Sequence, residues 1–150
     1  VGHIFLLKCL HRHPTNSALV HVVLKAVCDL YDDGAFCNDG MHSSDAILQH
    51  CLAAAKMFDY DDTIIMWACQ GISLFITSHK SLISFNRWNG IEILICSMAR
   101  NMESSKFIEY SSLCLANAMV AADSRRAFLD QPIEWVIVLM CCLEKNMDNE

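Results

Sequence analysis

The feature that most constrains this chain is a set of apolar phrases that recur at near-constant spacing. The phrase GIEILICSM at 90–98 returns as PIEWVIVLM at 132–140, which is 42 residues later. A second phrase occurs three times, as LVHVVLKAVCDL at 19–30, TIIMWACQGISL at 63–74 and FIEYSSLCLANA at 107–118, with ends 44 residues apart. Periods of about 40–47 residues are typical of repeat proteins in which each unit packs on the next.

Composition and periodicity indicate that the repeated unit is helical. Of the 150 residues, 54% are hydrophobic, whereas only 5 are Gly and 2 are Pro, so the residues that end helices and form tight turns are scarce. In the first long phrase, Leu19, Val23, Val27 and Leu30 follow one another at intervals of three or four residues. This spacing places them on one side of a helix. The sequence therefore predicts an all-α chain with no β-strand.

Each unit is predicted to contain a short, a middle and a long helix. The short helices are predicted at 80–86 and 124–130, with a weak counterpart near 33–38; the middle helices at 3–12, 45–57, 90–101 and 132–145; and the long helices at 17–31, 62–78 and 105–121. Asn16, Asp61 and Ser104, or the residue after each, can cap the long helices by accepting first-turn amides. Pro132 fits the first position of a middle helix, where its missing N–H costs nothing.

The arrangement resembles the armadillo-repeat family, with the related HEAT repeats as an alternative. Residues 89–130 read as one nearly complete unit, with Gly90 just before a middle helix as in armadillo units, and CLANAM at 114–119 is similar to the end of their third helix. The resemblance implies an all-α, right-handed superhelical solenoid of about three and a half repeats. Its units would be about 2–43, 44–88 and 89–131, with a partial unit at 132–150, as one slice of a longer array.

The same resemblance implies a site. Third helices of armadillo proteins line a concave groove that binds extended peptides or partner helices. The third-helix residues that would offer polar contacts on this face are Lys25, Asp29, Ser73, Tyr110 and Asn117. We therefore expect a partner-binding surface built from these five side chains.

One specialised use of that groove is not expected here. Nuclear-import adaptors of the family bind basic targeting peptides through repeated Trp and Asn residues on the third helix. Asn117 matches the Asn position, but Asp29 and Ser73 stand at its equivalents. The positions four residues earlier, where Trp would stand, hold Lys25, Cys69 and Leu113. Trp67 is expected to belong to the core instead.

No constellation of residues predicts catalysis or metal binding. Cys9, His11 and His13 alternate, but side chains two residues apart diverge on a helix, and no second cluster completes a four-ligand zinc site. His50 and Cys51 are adjacent and would point roughly 100° apart, which favours packing for Cys51 and exposure for His50. No phosphate-binding glycine loop is present. We therefore expect a non-enzymatic chain without a metal or cofactor.

Charge and apolar run length limit the partners. The formal net charge is −6 and the 17 acidic residues are scattered, so a nucleic-acid partner is not indicated. The longest apolar runs, 135–143 and 64–76, fall short of the roughly 18–20 residues of a membrane span. Nine cysteines, mostly inside helical phrases, favour free thiols in a reducing cytoplasm, with the nucleus as an alternative.

Two functions remain open from the sequence. The first is a protein–protein interaction scaffold that binds a partner peptide or helix along the concave third-helix surface. The alternative is an internal structural segment of a larger enzyme or assembly, whose repeats only position other domains. The last helix is apolar on nearly every side from Trp135 to Met140. We therefore expect flanking repeats of the parent chain, or a dimer partner, to cover it.

Overall fold

Within residues 2–32 and 42–147, which the computed structural model describes, every regular element is an α-helix. The helices are α1 (Gly2–Arg12), α2 (Ser17–Asp32), α3 (His42–Met57), α4 (Asp62–Phe75), α5 (His79–Arg87), α6 (Gly90–Arg100), α7 (Ser105–Ala118), α8 (Ala122–Leu129) and α9 (Glu134–Met147). The all-α prediction is confirmed for these residues. The weak short helix predicted near 33–38 lies outside them.

The long helices α2, α4 and α7 begin at the residues that capping chemistry predicts. Asn16 accepts a hydrogen bond from the amide of Leu19 at 3.0 Å. The Asp61 carboxylate accepts the amides of Thr63 and Ile64 at 3.2 and 3.1 Å. Ser104 precedes α7 but makes no side-chain capping hydrogen bond. Two of the three predicted caps therefore hold a helix start through their side chains.

Helix ends depart further from the sequence prediction. α4 ends at Phe75 and α7 at Ala118, three residues before the predicted positions 78 and 121. Ser78 is extended, with φ −123° and ψ 156°, and it forms a reciprocal capping box with Ser81 at the start of α5. The chain must leave α4 before Ser78 to make this cap. Pro132 lies two residues before α9 rather than at its first position.

Helices of the same kind pack on one another along the chain. The long helices form one row, in which α4 contacts both α2 and α7, and the middle helices form a second row in the order α1, α3, α6 and α9. Each long helix also packs on the middle helix that precedes it, as α2 does on α1, α4 on α3 and α7 on α6. The short helices α5 and α8 contact each other. One hydrophobic core extends between the two rows.

Small side chains and thiols form close contacts both between the two rows and within the row of long helices. At Gly71 of α4 a Cβ atom would lie 2.6 Å from the Sγ of Cys51, so only glycine fits without movement of its neighbour. The thiol of Cys114 donates a hydrogen bond to the carbonyl of Cys69, 45 residues earlier, at 2.9 Å. Cysteines therefore occupy close contacts between helices, where a larger residue would force them apart.

The same pair of asparagine side-chain hydrogen bonds occurs at the ends of two middle helices. The Nδ2 of Asn101 donates to the carbonyl four residues earlier and to the carbonyl of Asp59 in the preceding unit, each at 2.8 Å. The Nδ2 of Asn146 likewise donates to the carbonyl four residues earlier at 2.7 Å and to the carbonyl of Met102 at 3.4 Å. Each asparagine thus ties its helix end to the loop that follows the preceding middle helix.

Candidate functional site

The long helices share one face whose residues are all at least partly exposed. Counting each helix from its first residue, the equivalent positions Val20, Ile65 and Ile108, then Val23, Ala68 and Ser111, then Val27, Ile72 and Leu115 are all buried. Residues two positions further along point to the opposite side of a helix. These are Val22, Trp67 and Tyr110, then Lys25, Gln70 and Leu113, then Asp29, Leu74 and Asn117, and all are partly or fully exposed. We call these nine residues the long-helix face.

The charged part of this face lies on α2. Lys25 and Asp29 are both exposed, and the Lys25 Nζ lies 2.6 Å from the Asp29 carboxylate one turn later. The same Nζ sits 5.4 Å from the centre of the Trp67 ring on α4. Exposed pairs of this kind stabilise a fold by only about 0.3–1 kcal/mol each. Lys25 can therefore exchange these contacts for a partner at little cost in stability.

The apolar part of the face lies on α4 and α7. Trp67 and Tyr110 are half-buried and pack against the core, while their remaining surface is open. Leu113 is 49% exposed and adds an open apolar side chain beside them. Half-exposed aromatic residues combine a large contact area with few rotatable bonds, a combination enriched in protein interfaces. Trp67 thus contributes both to the core, as expected, and to this face.

Ser73 and Asn117, the remaining predicted site residues, are both half-buried. The Ser73 hydroxyl donates to the carbonyl of Gln70 in its own helix at 2.8 Å, so part of its hydrogen-bonding capacity is used locally. Asn117 lies in the last turn of α7, one residue before the helix ends. The structure therefore places Lys25, Asp29, Tyr110 and Asn117 on the long-helix face and Ser73 beside it, next to Leu74.

Sequence reasoning missed several residues of this face because the register shifts along the chain. α4 starts 45 residues after α2, whereas α7 starts 43 residues after α4, so a uniform period of 44 misplaces α4 by one residue. The equivalent of Lys25 on α4 is Gln70, not Cys69, which is fully buried. The equivalent of Asn117 is Leu74. The capping residue Asp61 marks the correct register, because it fixes where α4 begins.

A second surface feature is a groove between the middle helices α3 and α6, with a volume of about 290 Å³. It is lined by Lys56, Asp59, Trp88, Asn89, Glu92, Ile93, Cys96, Ser97 and Arg100. Arg100 forms an ion pair with Asp59 and lies 5.5 Å from the centre of the Tyr60 ring. Because Arg100 and Asp59 pair with each other, the groove offers a ligand fewer uncompensated charges than its lining residues suggest. No pattern in the sequence predicts this groove, since most of its lining residues read as ordinary solvated helix surface.

Burial disfavours nucleophilic chemistry at the two central thiols, Cys51 and Cys69. Cys51 is fully buried, as expected, and burial followed by the neighbouring Cys28 and Cys114 raises the pKa of its thiol well above the usual value. A hydrogen bond with Cys114 and then burial raise the pKa of Cys69 in the same direction. Thiols held protonated are poor nucleophiles. His50 is half-buried rather than exposed, so that part of the prediction is wrong.

Metal ligation and membrane insertion have no visible basis in the part of the chain that the structure describes. Within residues 2–32 and 42–147, no group of three or more His, Cys, Asp or Glu side chains is arranged to hold a metal ion. Among the helices of the same ranges, none combines the length and apolar character that a membrane crossing requires. The long-helix face and the α3–α6 groove thus remain as the candidate surfaces.

Comparison with known proteins adds no relative. No family model, no curated protein and no solved structure matches the chain. The geometry of these two surfaces is therefore the basis on which a function can be assigned.

Proposed function

We propose that this chain is an armadillo-like repeat segment that acts as a non-enzymatic protein–protein interaction scaffold. Its partner would be a peptide or helix that lies across α2, α4 and α7 on the long-helix face. The observation that carries the proposal is the exposure of mixed polar and apolar side chains on three neighbouring helices. No disulfide joins any two of the eight cysteines in the described residues, which accords with a reducing cytoplasmic or nuclear location.

Support for the armadillo-like arrangement comes from contacts that recur at the period of the sequence. Hydrogen bonds join residues 42 to 45 positions apart, as between Asn101 and Asp59 or between Cys114 and Cys69. Each joins a helix to the preceding unit. In a repeat solenoid every unit contacts only its neighbours, and like helices stack in rows. A right-handed superhelix of about three and a half repeats would place the row of long helices on its concave side.

The chemistry of the face suits a partner that is apolar in part and polar in part. Val22, Trp67 and Tyr110 occupy equivalent positions on the three helices, and Lys25 and Asn117 lie further along α2 and α7 on the same face. An apolar side chain of the partner can pack on the first three residues, while its backbone or polar groups hydrogen-bond with Lys25 and Asn117. Contacts of this kind are individually modest and sum along an extended surface.

The alternative is a purely structural segment that positions other domains. Lys25, Asp29 and Leu113 are exposed, so no neighbouring segment of the described residues fills this face. A lack of any measurable partner affinity would favour the structural role.

Selection from random peptides tests the proposal even though the partner is unidentified. A displayed library of random 16-residue peptides is selected against the chain, and the dissociation constants of the enriched peptides are measured by fluorescence anisotropy. Leu113→Ala and Lys25→Ala should each weaken binding about fivefold or more, as expected for contact residues of an interface. Asn117→Ala should weaken it about twofold to tenfold through loss of one hydrogen bond.

The matched controls lie in the α3–α6 groove. Lys56→Ala removes an exposed lysine, as Lys25→Ala does, and Glu92→Ala removes an exposed carboxylate; neither should alter the affinity. Thermal unfolding of all variants should stay close to that of the unchanged chain, because the substituted side chains are exposed or half-buried. Peptides that respond to Lys56→Ala but not to Leu113→Ala would assign binding to the groove and refute the proposal.

A further inference from the structure

The groove between α3 and α6 contains an exposed thiol, that of Cys96. The lining residues from α6 and its N-cap follow one another at intervals of three or one, the spacing of a single helix face. They are Asn89, Glu92, Ile93, Cys96, Ser97 and Arg100. Lys56 of α3 and the half-buried Trp88 complete the walls. The volume of about 290 Å³ lies close to the lower limit for small-molecule sites.

A nearly buried hydroxyl opens into this groove without a partner. Ser97 is 1% exposed. Its carbonyl accepts the side-chain amide of Asn101, whereas its hydroxyl makes no hydrogen bond with a described residue. No fully enclosed side-chain oxygen of the described residues lacks a partner, so the Ser97 oxygen must be open to the groove that it lines. A free donor in such a place suits an occupant that brings a hydrogen-bond acceptor.

Charged side chains lie on both sides of the thiol. Glu92 stands one turn before Cys96 and Arg100 one turn after it, so the two charges are about 12 Å apart along α6. Lys56 is only three residues from Asp59, the partner of Arg100, so both cations lie toward the same end. Neither Lys56 nor Glu92 forms an ion pair with a described residue. Arginine has five N–H donors and can bind a second carboxylate beside Asp59.

We propose that the α3–α6 groove is a modification site at which Cys96 forms a mixed disulfide with glutathione, a zwitterionic thiol tripeptide. The groove presents an anion, a thiol and a cation in that order. A peptide with an ammonium at one end, a cysteine in the middle and a carboxylate at the other end is complementary to this order. An extended tripeptide spans about 10 Å, close to the separation of the two charges.

Two further side chains suit the same occupant. The ammonium end of glutathione also carries a carboxylate, and Asn89 lies at that end of the groove, one turn before Glu92. The Asn89 side chain makes no capping hydrogen bond to α6, so its amide can donate to this carboxylate. The Ser97 hydroxyl can donate to a peptide carbonyl of the bound tripeptide. The site uses none of the nine residues of the long-helix face and stands apart from the proposed function.

The reaction is a thiol–disulfide exchange with oxidised glutathione. Cys96 loses its proton to solvent, and the thiolate attacks one sulfur of the glutathione disulfide. A bond forms between the Cys96 sulfur and one glutathione while the original sulfur–sulfur bond breaks. The second glutathione leaves with the electron pair as a thiolate and takes up a proton. Oxidised glutathione is itself the oxidant, and a reduced thiol reverses the step.

Two disulfide reagents separate recognition by the groove from the reactivity of the thiol. The chain is treated with oxidised glutathione or with the uncharged bis(2-hydroxyethyl) disulfide, and the reaction is stopped with N-ethylmaleimide. Trypsin releases residues 88–100, in which Cys96 is the only cysteine, so mass spectrometry gives both rate constants for this thiol alone. Their ratio should be about fivefold or more higher in the folded chain than in the chain unfolded in urea, as a few modest polar contacts provide.

Glu92→Gln separates a specific contact from simple charge attraction. Oxidised glutathione carries more carboxylates than ammonium groups, so attraction alone predicts that this ratio rises when Glu92 loses its charge. The proposed contact predicts that it falls about two- to fivefold, the effect of one partly exposed charge pair. Ser97→Ala should lower it about twofold or more through loss of one hydrogen bond. Glu109→Gln removes an exposed carboxylate on α7, outside the groove, and should leave it unchanged.

Two results would overturn the proposal. The first is a ratio that is no higher in the folded chain than in the unfolded chain, which would make Cys96 an exposed thiol without a recognition site. The second is a ratio that does not fall in Glu92→Gln, or that falls equally in Glu109→Gln. Both carboxylates are exposed, so thermal unfolding of the two variants should stay close to that of the unchanged chain.

Discussion

Gly71 marks a place where α4 has no room for a side chain. A Cβ atom there would lie 2.6 Å from the Cys51 Sγ on α3. Gly71→Ala should therefore lower the free energy of unfolding by about 1–3 kcal/mol through overpacking, although alanine favours helix by nearly 1 kcal/mol. In a Cys51→Ala background the same substitution should cost clearly less, because the opposing sulfur is gone. Urea denaturation of the four proteins measures both costs.

Cys96 provides the control for this cycle. Its thiol is exposed on α6 and does not contact Gly71, so Cys96→Ala and Gly71→Ala should add independently, as substitutions without shared contacts do. Costs that also add for the Gly71 and Cys51 pair would show that the sulfur is not what excludes a side chain from this position.

His50 makes stability depend on pH in a defined direction. Burial, and then the nearby His11, lower the pKa of His50 below its usual value. The unfolded chain therefore binds this proton more readily than the folded chain. The contribution is complete above the unfolded pKa of about 6.5 and is lost as the pH falls through that value toward the folded pKa. The urea midpoint should therefore fall as the pH is lowered from about 7.5 to about 5.5, a range that spans the unfolded pKa.

Removal of the imidazole tests the assignment. His50→Gln should flatten this pH dependence, whereas His13→Gln, at an exposed position after α1, should retain it. An unchanged pH dependence in His50→Gln would place its origin at another group.

Among the helices, the starts of α4 and α7 form a natural pair for comparison. Asp61 accepts two first-turn amides, whereas Ser104 accepts none through its side chain. Asp61→Ala should lower the free energy of unfolding by about 1 kcal/mol, the typical value for loss of an N-cap. Ser104→Ala should change it by less than about 0.5 kcal/mol, as surface substitutions usually do. Equal losses in the two variants would contradict the difference between these caps.

Helix identity was predictable from local chemistry, but helix packing was only partly so. Asn16 and Asp61 mark helix starts because a capping side chain acts within its own first turn. Helix ends were less certain, because apolar residues such as Ile76 continue the periodic pattern past Phe75. The decisive feature there is Ser78, which must be extended to cap α5. The apolar periodicity of α4 or of α5 alone does not show which of the two helices takes the residues between them.

For the molecule as a whole, the middle of the helix rows should be more stable than its C-terminal end. α4 packs on α2, α3 and α7, whereas α8 buries only Ser124, and α9 leaves one side open. Local opening is easiest where few apolar contacts are lost. Hydrogen exchange followed by mass spectrometry should therefore find the slowest amides in α4 and faster ones in α8 and α9. Uniform exchange across these helices would indicate a single cooperative unit instead.

Surfaces built from several helices, the long-helix face and the α3–α6 groove, were harder to predict than the helices themselves. Four of the five predicted site residues lie on the long-helix face, but Gln70 and Leu74 were missed because loops of unequal length shift the register between units. The groove between α3 and α6 depends on Asp59 and Arg100 approaching across two units, 41 residues apart. A side-chain pairing of that kind leaves no periodic mark in the sequence.

Every long and middle helix carries a thiol, from Cys9 in α1 to Cys142 in α9. A buried thiol can react with an alkylating reagent only after its helix opens, so each labelling rate reports the opening of one part of the molecule. Cys96 is exposed and gives the unhindered rate, while Cys51 and Cys69 report on the centre. Mass spectrometry of the alkylated chain could therefore follow the opening of its separate helices without any substitution.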